Sequence, residues 1–156
     1  MLEKIHVYDL DGVLVDTSHR YRNKPDGTID LDYWFANRTP EKIAQDKLLP
    51  LVSQYRDDVK NPSIYTIICT SRAEYKHDKN FIRNILGWPN KLIMRPAGNM
   101  EPDGILKRKA LSRLFSLRQF QPLIKFFWED NIKNIKATEH LFTKTFLIKS
   151  EICERD

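Results

Sequence analysis

The sequence predicts an α/β fold with a five-stranded parallel sheet and helices on both of its faces. Two observations carry this prediction. Five short runs rich in β-branched and aromatic residues alternate with longer segments of helical periodicity, and polar residues follow three of those runs. Strands separated by helices are typical of βαβ units, which build parallel sheets. At 156 residues, the chain is expected to form a single domain over residues 1–156.

The five predicted strands are short and are bounded by polar or turn-forming residues. In chain order they are KIHVYDL, SIYTIICTSR, KLIMR, LIKFFWEDN and TKTFLIKS. Each run has the β-branched and aromatic content that strands favour. We therefore expect one sheet in which all five strands take part.

Helices are predicted between the strands from start signals, stop signals and apolar stripes. Thr39-Pro40-Glu41 combines a capping hydroxyl, a proline in the first turn and an early acid, and Pro50 is expected to divide the segment that follows into two helices. The spacing of apolar residues predicts further helices over 78–86, ending at Gly87, over 103–117, and from about 132 to 141.

Composition limits the classes of partner and compartment. The net charge of +5 and the pI of about 9.2 favour anionic partners such as nucleotides or nucleic acid, although solubility alone also explains them. Cys69 and Cys153 cannot form a disulfide framework, and neither cysteine nor His6 and His19 has the spacing of a zinc site. With no apolar stretch near the roughly 18 residues of a membrane span and no signal-peptide core, we expect a soluble, cytoplasmic protein without a membrane partner.

The carboxyl ends of the predicted strands carry the candidate site. Ligands bind outside the carboxyl ends of the strands in open α/β sheets. Here those ends read 9–12 (Asp-Leu-Asp-Gly), 70–72 (Thr-Ser-Arg) and 129–131 (Glu-Asp-Asn), and Lys107 begins the helix before the last of them. Carboxylates, a hydroxyl and a cation together are what phosphoryl transfer through an aspartate requires.

This chemistry gives the two neighbouring aspartates separate tasks. Residues i and i+2 of an extended segment point the same way, so Asp9 and Asp11 can face one phosphate group. One carboxylate attacks phosphorus, while the other protonates the departing alkoxide and later takes a proton from water. Gly12 allows a turn that brings backbone N–H groups near the anion, and Thr70 and Lys107 can bind the phosphate oxygens that do not react.

Each of these assignments has a simpler structural alternative. Asp9 and Asp11 could form a polar strand edge or part of a calcium loop. Thr70 and Ser71 could cap the following helix. Lys107 could lie on a solvated helix face with its neighbours Arg108 and Lys109.

The four strand-end elements together resemble the haloacid dehalogenase-like (HAD) hydrolases, whose domain is a three-layer Rossmann-like sandwich. Asp9-Leu10-Asp11-Gly12-Val13 resembles the first motif of that superfamily, Thr70 the second, Lys107 the third and Glu129-Asp130 the acidic fourth, in family order. The resemblance implies that Asp9 is the nucleophile, Asp11 the general acid and base, and Thr70 and Lys107 phosphate binders. It also implies a Mg²⁺ site made by Asp9, the Asp11 carbonyl and Asp130, with Glu129 in a secondary role.

A narrower resemblance covers nearly the whole chain. TSR, LIMRPAGNMEPDGILKRKAL and WEDN are similar to the phosphatase domain of phage polynucleotide kinase/3′-phosphatases and their stand-alone phage relatives, as are SHRYR and LDYWF. This similarity adds Gly12, Ser71, Arg72 and Arg95 as candidate substrate-binding residues, with a surface salt bridge as the alternative for the two arginines.

The resemblance implies a Mg²⁺-dependent phosphomonoesterase that acts on a nucleic-acid 3′-phosphate end or on a nucleotide, in the host cytoplasm if the protein is phage-encoded. The alternatives are a phosphatase of free 5′(3′)-deoxynucleotides and a non-catalytic binding module. Two positions depart from the pattern, because Glu129 stands where Asp is usual and Asn131 where an arginine often follows. No G-x-x-x-x-G-K-[ST] loop is present, which disfavours a kinase role.

The segment of about residues 17–60 is where this superfamily inserts its caps, and here it is short. A minimal cap leaves the site open to a polymer end or a nucleotide. Arg20, Arg22 and Lys24 are expected at the entrance, and Tyr21, Tyr33 and Trp34 are available to stack on a base. The alternative for Tyr33, Trp34 and Phe35 is the core of the cap.

Overall fold

The computed structural model of the chain describes residues 1–149, which form a five-stranded parallel sheet and a small two-stranded ribbon. The strands are β1 (Lys4–Tyr8), β2 (Val15–Asp16), β3 (Lys47–Leu48), β4 (Ile64–Ala73), β5 (Lys91–Arg95), β6 (Ile124–Glu129) and β7 (Lys144–Leu147). The main sheet has the order β5-β4-β1-β6-β7 with parallel pairing throughout, and β2 pairs with β3 in an antiparallel ribbon. The predicted five-stranded parallel sheet is confirmed.

Strand bounds differ from the prediction by a few residues. β4 continues through the Thr-Ser-Arg run to Ala73, with an irregular register against β5 after Cys69. β7 ends at Leu147, and the final residue of its predicted run, Ser150, lies outside the described residues.

Six α-helices accompany the strands over residues 1–149. They are α1 (Leu31–Ala36), α2 (Pro40–Ile43), α3 (Val52–Lys60), α4 (Lys76–Phe81), α5 (Asp103–Phe115) and α6 (Ile132–Thr138). Single 3-10 turns cover Ser18–Arg20 and Glu139–Leu141, and α4 continues as a π-helical turn over Ile82–Leu86. None of these helices is long and apolar enough to cross a bilayer.

The predicted helix signals are confirmed at two of the boundaries. The Thr39 hydroxyl accepts a hydrogen bond from the Lys42 N–H at 3.2 Å, which caps α2 as expected. Gly87 ends the segment after α4 with φ +104°, a conformation that glycine adopts without strain. The first helix before Pro50 is only one turn, however, because the chain leaves it to form β3.

Two hydrophobic cores lie on the two faces of the sheet. Alternate residues of β1 serve them: Val7 packs with Leu111 and Phe127 on the α5 face, whereas Tyr8 packs with Trp128 on the other. The first core also contains Leu14, Val52, Tyr55, Phe81 and Ile82, and the second contains Ile5, Ile67, Cys69, Phe115 and Phe120. The sheet is thus buried on both faces, which is why its central strands are almost continuously apolar.

Helix α3 packs against the main sheet and does not stand over the strand ends. Its Asp58 carboxylate accepts hydrogen bonds from the Tyr8 hydroxyl at 2.5 Å and lies 2.7 Å from Nδ1 of His6, both on β1. Val52 and Tyr55 are buried in the core. The residues of the 17–60 segment that contact the strand ends therefore precede α3, and they include Asp46.

Candidate active site

The register of the sheet places Asp9 beside Glu129. Tyr8 pairs with Trp128 across β1 and β6, and the next N–H, that of Asp9, donates to the Trp128 carbonyl at 2.9 Å. Asp9 is only 5% exposed and Glu129 is fully buried. Two carboxyl side chains therefore lie at the carboxyl edge of the sheet with little access to water.

Lys107 joins these two carboxylates. It lies in the second turn of α5, and its Nζ donates to Asp9 Oδ1 at 2.9 Å and to Glu129 Oε2 at 2.7 Å. The side chain is 1% exposed, so the alternative of a solvated helix face is wrong for Lys107. Burial alone lowers the pKa of Lys107, but the charges of Asp9 and Glu129 outweigh it and hold the pKa well above its usual range.

One lysine does not balance the acids around it. Burial and the repulsion from Glu129 raise the pKa of Asp9 to about 8, with Lys107 acting in the opposite direction. Burial also raises the pKa of Glu129, again opposed by Lys107. The site carries an excess of carboxylate that a bound cation would relieve.

Three carboxylates at this edge are close enough to share an ion. One oxygen each from Asp9, Glu129 and Asp130 lies within 4.8 Å of the others. Glu129 is already engaged elsewhere, since its Oε1 accepts the backbone N–H groups of Asp130 at 3.0 Å and Asn131 at 3.2 Å, while Oε2 binds Lys107. Asp9 and Asp130 are therefore the better placed ligands, and Glu129 orients the loop that carries Asp130.

Gly12 permits this geometry in two ways. Its φ is +78°, and a Cβ at this position would lie 2.8 Å from Cγ of Asp130 and overlap its carboxylate. Any larger residue would have to push Asp130 away. The glycine that the sequence associates with phosphate binding thus also leaves the space that the Asp130 carboxylate occupies.

The second aspartate of the first motif is held separately from the first. Arg72 donates to Asp11 through Nε at 3.0 Å and Nη2 at 2.6 Å, and through Nη1 to Asp78 at 2.8 Å. Arg72 is buried, so the surface salt bridge considered as its alternative role is wrong, and the ion pair is a buried one. Burial alone lowers the pKa of Arg72, but the charges of Asp11 and Asp78 raise it above its usual range.

A second buried arginine extends this arrangement into the cap. Arg20 donates to both oxygens of Asp46, at 2.8 and 2.9 Å, and Asp46 Oδ2 also lies 3.5 Å from Nη2 of Arg72. Arg20 is fully buried with its guanidinium 4.4 Å from the centre of the Trp34 ring. The expectation that Arg20 lines the entrance is wrong, because its side chain is buried in the ion pair with Asp46. Arg20, Asp46, Arg72 and Asp11 are called the cap network below.

The sequence does not predict the cap network, because no local pattern indicates its ion pairs. Arg20 and Asp46 are 26 residues apart, and Asp46 follows a one-turn helix in a segment without periodicity. The cluster of Arg20 and Arg22 in SHRYR was the available signal, but sequence alone does not separate a buried arginine from an exposed one.

Thr70 and Ser71 do not cap the next helix. Helix α4 begins at Lys76, whereas the Thr70 hydroxyl is buried and accepts the Arg72 N–H at 3.2 Å. The Ser71 hydroxyl is buried without a hydrogen-bond partner, and its carbonyl accepts Nε of Arg95 at 3.0 Å. Both residues stand at the end of β4, as predicted, but as part of the strand.

Arg95 shapes the loop that follows β5. Its Nη1 donates to the Glu101 carbonyl at 2.6 Å and to Asn99 Oδ1 at 3.1 Å, and its Nη2 donates to Asp103 at 2.6 Å. The predicted substrate-binding arginine thus fixes the 96–103 loop through main-chain and side-chain contacts.

These residues surround one cleft of about 540 Å³. Its floor includes Asp9, Asp11, Lys107 and Asp130, and its upper walls come from the cap and from the 96–101 loop. Tyr33 does not line the cleft, whereas Trp34 and Phe35 do; neither is buried, so α1 contributes cleft wall rather than a cap core.

Comparison with known families identifies the chain. Residues 1–140 match the family model of the bacteriophage T5 5′-deoxynucleotidase. The chain belongs to this family. It is 31% identical over 85 residues to the 5′-deoxynucleotidase of Escherichia phage T5, an alignment that covers 53% of this chain and 35% of that protein. The chain thus matches about a third of its curated relative, and the family relationship supports phosphatase activity.

Solved structures show the same fold at low sequence identity. A chain of the Pnkp1/Rnl/Hen1 RNA repair complex superposes with a TM-score of 0.66 at 20% identity, covering 95% of this chain and 43% of that one. A haloacid dehalogenase-like hydrolase of Streptococcus pneumoniae gives 0.62 at 13% identity, covering 96% and 88%. The predicted HAD-like fold is confirmed.

Proposed function

We propose that the protein is a Mg²⁺-dependent phosphomonoesterase that hydrolyses deoxynucleoside 5′-monophosphates through an aspartyl-phosphate intermediate. The observation that carries the chemistry is the Asp9 carboxylate, held 2.9 Å from Lys107 and grouped with Glu129 and Asp130 at the floor of the cleft. The family match over residues 1–140 supports the substrate class.

Asp9 is the proposed nucleophile. A carboxylate oxygen of Asp9 attacks phosphorus in line with the ester oxygen, so that the P–O bond to the sugar breaks as the acyl phosphate forms. The Lys107 ammonium is within hydrogen-bond reach of Asp9 and can bind an oxygen of the phosphoryl group that Asp9 receives. Thr70, one strand away, is proposed to bind another.

Asp11 is the proposed general acid and base. It gives its proton to the departing sugar oxygen and then removes one from the water that hydrolyses the acyl phosphate. The two hydrogen bonds from Arg72 fix the orientation of this carboxylate, which makes Arg72 a positioning residue.

The residues of the floor fit a magnesium ion. Asp9 and Asp130 supply carboxylate oxygens, the donor type that hard divalent cations prefer. Burial and the charge of Glu129 raise the pKa of Asp9, and a bound cation would oppose both effects. When bound, the ion supplies charge neutralisation for the phosphate oxygens. The Asp11 carbonyl is proposed as a further ligand, because the Asp11 carboxylate is turned toward Arg72.

A nucleic-acid 3′-phosphate end is the second candidate substrate. The short cap favours it, because the polymer beyond the terminal nucleotide needs an open cleft. This candidate predicts activity on a 3′-phosphorylated oligonucleotide and little on the matching mononucleotide. In either case the family relationship to a phage protein leads us to propose the host cytoplasm as the compartment.

Phosphate release from a defined panel tests the proposal. Purified protein with Mg²⁺ should release phosphate from deoxynucleoside 5′-monophosphates, and chelation with EDTA or the Asp9→Asn substitution should abolish release. Glu74→Gln, which removes an exposed carboxylate outside the cleft, serves as the matched control and should retain activity. Equal activity in Asp9→Asn protein would refute the assignment.

A further inference from the structure

We propose that a shallow basic depression beside helix α5 binds the sugar-phosphate backbone of a nucleic-acid strand, at a site separate from the cleft. The depression has a volume of about 590 Å³ and is called the α5 depression below. The residues that line it are Arg108, Lys109, Ser112, Arg113 and His140. None of them lines the cleft, so binding there is independent of the phosphatase activity proposed above.

The packing of α5 against α6 places the α5 depression. A Cβ at Gly104 would lie 2.9 Å from Cβ of Ala137, so the glycine lets the two helices approach closely near the start of α5. Helix α6 ends soon afterwards and continues as the 3-10 turn that contains His140. Arg108 and Ser112 follow Gly104 by about one and two turns, on the same side of α5. The depression thus lies where α6 ends against α5.

The cations of the α5 depression are available to a ligand. Over residues 1–149, no carboxylate pairs with the side chain of Arg108 or of Arg113, and both residues are exposed. Lys109 pairs with Glu101 at 2.5 Å, but its side chain is 59% exposed, and a pair in water contributes little and can exchange for another anion. Of the residues described, none that lines the depression is acidic.

The side chains of the α5 depression suit phosphate groups. A guanidinium group donates two parallel hydrogen bonds to a phosphate, and lysine and serine side chains also contact phosphates in nucleic-acid complexes. At about 1.5 Å per residue, Arg113 lies about 7.5 Å further along α5 than Arg108. A single phosphate ion is small against about 590 Å³, whereas a strand presents phosphates at regular intervals along such a surface.

The composition of the lining disfavours other anionic partners. Among the described residues it includes no aliphatic side chain and no phenylalanine, tyrosine or tryptophan, so a bilayer or an apolar peptide side chain finds no contact there. The net charge of +5 also favours a polyanion. Because contacts to phosphate carry no sequence information, we expect strands of any sequence to bind, with an affinity that falls as the salt concentration rises.

Fluorescence anisotropy with a labelled single strand tests the proposal. The probe is an oligodeoxythymidylate of about 20 nucleotides, labelled on an internal base and with hydroxyl groups at both ends. EDTA is present, so that neither a terminal phosphate nor a metal ion engages the cleft. Wild-type protein should bind this strand, and a mixed-sequence strand should bind equally well. A strong preference for one sequence would overturn the assignment to the backbone.

The variant that combines Arg108→Gln with Arg113→Gln should bind the strand at least about tenfold more weakly than wild type at low salt. Its plot of log K against log salt concentration should also be shallower by about 1.4, which is two phosphate contacts at about 0.7 each. An unchanged affinity and slope would overturn the proposal, as would the absence of wild-type binding at about 50 mM salt.

A double variant with Lys60→Gln and Lys91→Gln is the matched control. It removes the same net charge at exposed positions outside both the α5 depression and the cleft, and it should bind as wild type does. Equal weakening in the two double variants would show that only the overall charge of the protein matters, which would overturn the proposal.

Two competitors separate a nucleic-acid strand from other anions. Inorganic phosphate and poly-L-glutamate, each at the same charge concentration as the strand, should fail to displace it. Displacement by poly-L-glutamate would assign the α5 depression to an acidic peptide, and displacement by phosphate would assign it to a small ion; either result overturns the proposal. Because binding is measured without turnover, absence of phosphatase activity would not affect the result.

Discussion

The floor of the cleft and the cap network both combine carboxylates with cationic side chains, but the ratio of the two differs. The floor sets one cation, Lys107, against the carboxylates of Asp9, Glu129 and Asp130. The cap side sets two arginines, Arg20 and Arg72, against Asp11, Asp46 and Asp78. The floor is strongly deficient in positive charge, and the cap side is close to balance.

This difference in charge balance indicates different tasks: reaction chemistry at the floor and positioning of side chains in the cap network. An unbalanced, buried carboxylate cluster holds a proton or a cation and has a perturbed pKa, as Asp9 does. A nearly balanced network of bidentate ion pairs fixes geometry instead. We therefore expect substitution of Asp9 to remove turnover, and substitutions of the cap-network residues that only position Asp11, such as Asp46, to reduce it together with stability.

The largest effect is expected at Asp9, the proposed nucleophile. Asp9→Asn should lower kcat by at least about 10⁴-fold, because the amide cannot form an acyl phosphate. Steady-state phosphate release measures this. If the Asp9→Asn protein retains more than a small fraction of wild-type kcat, the nucleophile is another residue, and the floor and the cap network do not differ in the way proposed.

Gly12→Ala tests whether the floor depends on the close approach of the acidic loop. The new Cβ would displace the Asp130 carboxylate, and Mg²⁺ affinity should fall about 10- to 100-fold, the range found when a metal ligand loses its support. Titration of Mg²⁺ by calorimetry measures it. Gly27→Ala is the matched control, since φ there is +85° with open space around the Cβ, and it shares the backbone strain without the clash. Equal losses of affinity in both variants would contradict the role of Asp130.

Asp46→Asn tests the cap network. The substitution keeps the shape but leaves Arg20 and Arg72 with one fewer carboxylate in a buried setting, which should cost about 3 kcal/mol in the free energy of unfolding. Because Arg72 then positions Asp11 less well, kcat should fall about tenfold with KM little changed. Chemical denaturation and steady-state kinetics measure the two effects, and Glu74→Gln, which breaks an exposed pair, should change stability by less than about 0.5 kcal/mol. A stable Asp46→Asn protein with full kcat would show that the network is dispensable.

The smallest effect concerns stability and pH in the absence of metal. The pKa of Asp9 is about 8 in the folded protein against 3.8 for an ordinary aspartate, so the folded state binds the extra proton between these values. Stability therefore decreases as pH rises from about 4 to about 8 and then levels off. Asp9→Asn removes the loss of stability that comes from ionising the buried Asp9 carboxyl group. Thermal melting of the metal-free variant should therefore occur about 3 °C or more above that of the wild type at pH 9, and the difference should vanish toward pH 4. A wild-type protein that is the more stable one at pH 9 without metal would contradict the carboxylate excess.

The sequence was sufficient for the sheet and the floor because both depend on local signals. Alternating apolar runs define the strands, and the side chains that follow a parallel strand must lie at its carboxyl edge. Asp9 and Asp130 are therefore predicted to lie near one another from the strand pattern, whereas Lys107, on helix α5, is predicted only from the resemblance to the family motif.

The cap network could not be placed in this way. Its contacts join residues 26 and 61 positions apart, and they were settled by the burial of Arg20 and Arg72, which depends on how the cap folds back over the strand ends. The capping role considered for Thr70 was wrong for a related reason, since β4 continues past the residue at which its apolar run ends.

Trapping of the phosphorylated protein tests the central assignment most directly. Asp11→Asn protein with Mg²⁺ and p-nitrophenyl phosphate, whose leaving group needs no proton, should form the acyl phosphate and hydrolyse it slowly, because the base for the second step is missing. After an acid quench, mass spectrometry of the peptide that contains Asp9 should show the added mass of one phosphoryl group on that residue. Release of p-nitrophenol without any phosphorylated Asp9, or with the phosphoryl group on another residue, would contradict the account.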